Sequence, residues 1–112
     1  MEFKPLHTAE QLERISSSDL SNIIFKHNTT CPISKSVKRK LEEDGGVIPA
    51  DTPAYILDLI SHRDISDAIA ATFEVEHESP QLLVVKKGKC VYNQSLYDIS
   101  PEETAQAIEE NK

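Results

Sequence analysis

Apolar residues along this chain follow two rhythms, and their alternation outlines an architecture. Three short runs carry little polar interruption: Asn22–Lys26 around Ile23-Ile24-Phe25, Ala54–Ile60, and Gln81–Val85. Such runs read as strands, and the first, apolar around its centre, as one buried on both faces. Between them, apolar residues recur at i, i+4 and i+8, first as Ile33, Val37 and Leu41 and then as Ile65, Ile69 and Phe73. That spacing lines one face of a helix. Thr8-Ala9-Glu10-Gln11 has the capping-box pattern and predicts a helix from about Ala9 to Ser16, with Leu12 and Ile15 inward. Gly45-Gly46 is expected to end the second helix in a left-handed cap. Lys87-Gly88 turns the chain back into a fourth strand, Lys89–Asn93, to make a hairpin. Ser100-Pro101-Glu102-Glu103 opens a last helix with Ala105 and Ile108 inward.

The predicted order is α, then β-α-β-α-β-β-α, in one domain over residues 1–112. Right-handed crossovers followed by a hairpin predict an α/β fold with a four-stranded mixed sheet. Helices flank the sheet, one of them an extra N-terminal helix, and the Asn22–Lys26 strand is central. Ligands in open α/β sheets bind beyond the carboxyl ends of the strands. Lys26-His27-Asn28-Thr29-Thr30-Cys31-Pro32-Ile33-Ser34 occupies that place.

Charge and length narrow the partners. With 112 residues and a net charge of −7, the chain lacks the basic face that nucleic acid requires. A basic run, Lys35, Lys38, Arg39 and Lys40, follows the cysteine. Glu42, Glu43 and Asp44 balance it as a solvated helix face, the alternative being an anion-attracting rim beside Cys31. No apolar run reaches the ~18 residues of a membrane helix. Met1-Glu2-Phe3-Lys4-Pro5 lacks a signal-peptide pattern, so the expectation is a cytoplasmic protein with no membrane partner. Two cysteines in such a reducing compartment do not make a structural disulfide.

The candidate chemistry centres on Cys31, in a turn with Thr30 and ahead of Pro32. Proline is favoured at the first helical position, which makes Cys31 the N-cap. There a sulfur faces free amide groups and the positive end of the helix dipole, the setting of reactive thiolates. Cys31-Pro32-Ile33-Ser34 is a Cys-x-x-Ser, and the serine cannot resolve a mixed disulfide as a second cysteine would. Single-thiol chemistry follows, with Ser34 expected to donate a hydrogen bond to the thiolate. Pro80, directly before a strand and opposite the cysteine turn, is a candidate cis proline. Such a kink would free the backbone beside Ser79 to pair with an extended substrate. Cys90 falls on an edge strand too far from Cys31 for a disulfide. His7, His27, His62 and His77 show no metal-ligand spacing, so no metal is expected. His27 and His77 flank the site, either as solvated loop side chains or, with Lys35, as cationic contacts for an anion.

His27-Asn28-Thr29-Thr30-Cys31-Pro32-Ile33-Ser34, His77-Glu78-Ser79-Pro80-Gln81 and Tyr97-Asp98-Ile99 together resemble the YtxJ-type monothiol bacilliredoxins. The resemblance implies a thioredoxin-like fold and removal of bacillithiol from protein cysteines in low-GC Gram-positive bacteria. It makes Cys31 the nucleophile and Pro80 the cis proline. Bacillithiol is then a co-substrate, bacillithiolated proteins and a low-molecular-weight thiol are the partners, and no cofactor is tightly bound. Cys90, and Tyr97 in place of tryptophan, depart from the family pattern. Two other readings stand beside this one: an iron–sulfur carrier like the monothiol glutaredoxins, disfavoured by the stiff Pro32, and a non-catalytic thioredoxin-like binding module.

Overall fold

The computed structural model describes residues 1–112. Strand β2 (Asn22–His27) lies at the middle of a five-stranded sheet. On one side it pairs in parallel with β3 (Ala54–Asp58), which pairs in parallel with the two-residue β1 (Lys4–Pro5). On the other it pairs antiparallel with β4 (Gln81–Lys86), which forms a hairpin with β5 (Lys89–Ser95). The sheet therefore has five strands where the hydrophobic pattern predicts four. Lys4–Pro5 is too short to carry a period. Its proline, unable to donate to a ladder, is tolerated on the edge, where Leu6 N–H still donates to Ile56 O at 2.8 Å.

Four helices cover the two faces. Helix α1 (Ala9–Ser17) and α3 (Arg63–Phe73) lie on one, α2 (Pro32–Asp44) and α4 (Pro101–Glu110) on the other. The strand alternation decides which side chains meet which layer. Ile24, Leu83 and Val85 pack with Leu12, Ile15, Ile65, Ile69 and Phe73. Ile23, Phe25, Leu82 and Val84 pack with Val37, Leu41, Ile99 and Ile108. All six residues of β2 are buried, the polar Asn22, Lys26 and His27 included.

Local signals account for most boundaries. Thr8 caps α1 with the full reciprocal box, accepting from Gln11 N while the Gln11 side chain accepts from Thr8 N. Ser100 accepts from Glu103 N at 3.2 Å ahead of Pro101. Lys87 and Gly88 both take positive φ, 52° and 78°, as a type I′ hairpin turn demands. Gly45 does not form the expected left-handed cap. Its φ is −73°, the chain continues into a 3₁₀ turn (Gly45–Val47), and a Cβ there would stand 2.8 Å from Met1 Cβ. Close approach of the N-terminus is what requires glycine at that position. The left-handed cap belongs instead to Glu74, φ 54°, at the end of α3.

Because Ile24 is wholly enclosed between β3, β4 and the α1/α3 layer, Ile24→Ala should lower stability by about 2–5 kcal/mol. Urea unfolding followed by circular dichroism would measure it, and a loss under 1 kcal/mol would contradict this packing.

Candidate active site

The carboxyl end of β2 delivers the chain into a tight turn. Cys31 N–H donates to Asn28 O at 3.1 Å, closing four residues, and Asn28 Oδ1 accepts from Thr30 N at 3.0 Å and Thr30 Oγ1 at 2.8 Å. This is an Asx turn laid over a main-chain turn. Thr30 thus shapes the turn while staying exposed. Cys31 is the N-cap of α2 in extended conformation (φ −101°, ψ 120°), with Pro32 in the first turn. Its carbonyl accepts from Lys35 N, and its thiol is free and half-exposed. No side chain caps α2, so the first amide groups of the helix are open to a charge at the cysteine.

Ser34 does not reach the sulfur. It is fully buried, and its hydroxyl accepts from Asn28 N at 2.9 Å and lies 2.7 Å from His27 Nδ1. The expected hydrogen bond to Cys31 is replaced by a brace that ties α2 to the end of β2. A fully buried hydroxyl proton needs an acceptor. His27 Nδ1 is the one within reach, which assigns the ring proton to Nε2. Burial foremost, and then Lys38, lowers the His27 pKa below the usual histidine value, so the ring is neutral at pH 7. His27 is thus neither a loop residue nor a cation. It closes β2, stacked on Phe25 with ring centroids 5.7 Å apart.

His77 stands in the loop before Pro80, exposed on one side. Lys26 Nζ lies 3.1 Å from its Nδ1, and Ser66 Oγ 3.5 Å from the same nitrogen. Burial first and the Lys26 ammonium second lower its pKa, so His77 is neutral as well. Lys26 itself is 0% exposed and makes no salt bridge. Its desolvation outweighs the attraction of Asp67 and Glu78 and lowers its pKa to about 8. Gln81, its cross-strand neighbour, donates to Glu76 O and accepts from Glu78 N. Two buried polar side chains thereby hold residues 76–78 in place.

The Ser79–Pro80 peptide bond is cis. Pro80 O accepts from Leu96 N, which links the loop to the 3₁₀ turn (Leu96–Asp98) where Tyr97 stands 65% exposed. Ser79 makes no main-chain hydrogen bond, and its hydroxyl is buried without a partner. Lys26 pairs with Gln81, so Pro80 lies at the same end of the sheet as the Cys31 turn. Lys35 is exposed on α2 and joins neither ion pair of the chain, while Lys38 is held by Glu42 at 3.0 Å. No group of three His, Cys, Asp or Glu side chains converges as metal ligands would. Cys90 pairs with Val85, itself opposite Asn22 at the start of β2. Five residues of rise, about 16 Å, therefore separate its level from the end of β2. That is well beyond disulfide reach, and burial raises its thiol pKa.

Comparison with known proteins agrees with this geometry. A solved thioredoxin-fold protein shares 33% identity at a TM-score of 0.77, over 92% of this chain and 90% of its own. Thioredoxin from Trypanosoma brucei brucei has the same fold at 16% identity (TM-score 0.77, 97% and 89% covered). Fasciola hepatica thioredoxin does so at 20% identity (TM-score 0.71, 98% and 100% covered). The chain is a thioredoxin-fold redox protein of the single-thiol kind. The model of the family "Monothiol bacilliredoxin BrxC" matches residues 4–104, and the chain belongs to that family.

Sequence reasoning missed Asn28 and the partners of Lys26 and Ser34. Asn28 carried a signal, since an asparagine two residues before an amide at a turn is an Asx-turn pattern. Lys26 carried none: the Asn22–Lys26 run reads as a buried strand, but nothing in its spacing names His77 as the partner of the lysine.

Lys26→Met should raise stability at pH 7 by about 1–3 kcal/mol, since it removes a desolvated ammonium. The folded-state value, about 8, lies below the ordinary 10.5. The cost of Lys26 is therefore complete below pH 8 and fades as pH rises toward 10.5. Urea unfolding at pH 7 and pH 10 should show the gain shrinking, and a gain independent of pH would contradict a buried ammonium. Ser34→Ala should cost about 1–3 kcal/mol by stranding Asn28 N–H, seen as a lower urea midpoint.

Proposed function

We propose that the protein removes bacillithiol from cysteines of other proteins by thiol–disulfide exchange at Cys31. The observation that carries this reading is the isolation of the thiol. Cys31 sits at an uncapped helix start, Ser34 fills the place of a resolving cysteine, and Cys90 lies at the opposite end of the sheet. Family membership points to the same chemistry.

In the exchange, Cys31 thiolate attacks the bacillithiol sulfur of the mixed disulfide. A Cys31–bacillithiol bond forms, the protein–bacillithiol bond breaks, and the substrate cysteine leaves as a thiolate that takes a proton from water. One disulfide is exchanged for another, so no external electron is needed for this step. A second thiol, from bacillithiol or a reductant protein, then frees Cys31. The open amides of α2 face the negative charge on the attacking sulfur. The unpaired main chain of Ser79 offers strand-like hydrogen bonds to the segment flanking the substrate cysteine. The reaction belongs to a reducing cytoplasm, and no helix is long and apolar enough to cross a membrane.

Intact mass spectrometry of a bacillithiolated substrate mixed with the protein should show the adduct leaving the substrate and appearing on the protein. Cys31→Ala should be inert and Cys90→Ala should retain exchange. Clearance of the substrate by Cys31→Ala would overturn the proposal.

A further inference from the structure

Three of the four histidines scattered through the sequence meet in one cavity. His7, His27 and His62, with Pro5, Leu6, Thr29, Ile56 and Asp58, line a space of about 290 Å³. His7 and His62 stand with ring centroids 6.0 Å apart. The lining comes from the carboxyl ends of the three parallel strands β1, β2 and β3, where open α/β sheets bind ligands. Thr29 is two residues from Cys31, within about 7.6 Å by chain geometry. The cavity therefore opens on the β3 side of the thiol, whereas Pro80 and Ser79 stand on the β4 side.

The cavity also has a built polar group. His27 is 93% buried, its exposure being 7%, and its Nδ1 is occupied by Ser34. Its Nε2 has no hydrogen-bond partner and is not among the enclosed unpartnered atoms, so it faces the open space. The Ser34 contact places the proton on that nitrogen, making Nε2–H a donor awaiting an acceptor. His62 is the N-cap of α3, whose first amides no side chain caps. Asp58 is occupied by its own turn, accepting from Ile60 N, Ser61 N and Ser61 Oγ. Around His27 the positive charges of Lys38 and Lys35 are set against those of Asp58 and Glu42, so the hydrogen-bond donors, not net charge, mark this site. The volume suits part of a small molecule rather than a strand of polypeptide.

We infer that this cavity is the subsite for the carboxylate-bearing, non-cysteinyl part of the small thiol that Cys31 takes up, with His27 Nε2–H as its anchoring donor. The inference rests on the exchange reaction proposed above. It assigns the two halves of a mixed disulfide to opposite sides of Cys31, protein toward Ser79 and small thiol toward His27 and His62.

The test compares one substrate protein carrying either bacillithiol or cysteamine, which has no carboxylate. Wild-type protein should clear the bacillithiol adduct faster. His62→Trp, which fills the cavity, should shrink that preference by roughly tenfold, the worth of one hydrogen bond to a charged group. An unchanged ratio would overturn the subsite. A second measurement needs no exchange and survives a variant that fails to fold. In Cys31→Ala protein, added bacillithiol should shift the imidazole proton resonances of His7 and His62 but not those of His77. Equal shifts on all three, or none, would overturn it. Wild-type protein inert toward both adducts while the shifts occur would instead count against the exchange reaction.

Discussion

The site is built on the desolvation of the last two residues of β2. That strand has a neighbour on each edge and helices on each face, so Lys26 is shut off from bulk water and His27 nearly so. Buried polar groups must find partners. Lying on opposite faces of the sheet, the two side chains find different ones. Lys26 takes His77, in the loop that ends at Pro80, and His27 takes Ser34, in the first turn of α2. The two walls that flank Cys31 are thus each tied to a single strand.

This arrangement separates stability from function. A fully buried ammonium without a salt bridge is costly, and here it holds His77 in the loop that ends at Pro80. Ser34 serves similarly: in a dithiol motif the position would carry chemistry, whereas here its hydroxyl braces the helix start. Cys31 is left alone, half-exposed, with uncapped amides at its helix start and no second thiol near enough to close a ring. The chemistry of such a centre is exchange with partners from solution. Cys90, partly buried against the α1/α3 layer and donating to Tyr92 O, packs on the core and not at the site.

Much of this was legible in the amino-acid order. The uninterrupted Ile23-Ile24-Phe25 run and the four-residue spacing in α2 and α3 marked a central strand between helical layers. Cys31 before Pro32 marked the helix start, and Ser34 the absence of a resolving thiol. What stayed hidden depends on contacts between distant segments. β1 exists because Lys4–Pro5 meets β3, and its two residues have no period. Gly45 looked like a left-handed cap, yet its glycine answers to Met1 at the far end of the chain. His27 looked like a solvated loop side chain because it follows the apolar run. Its burial is a property of the sheet, and so is the turn of Ser34 away from the sulfur. The gathering of His7, His27 and His62 at one cavity likewise follows from strand order, which sequence spacing does not encode.

The central claim is that a single cysteine carries the exchanged thiol from start to finish. Peptide mapping of the wild-type protein after reaction with an equimolar bacillithiolated substrate tests it most directly. The account predicts a bacillithiol adduct on the peptide containing Cys31, with Cys90 free and alkylatable. An adduct on Cys90, or a Cys31–Cys90 disulfide formed with release of bacillithiol, would contradict it.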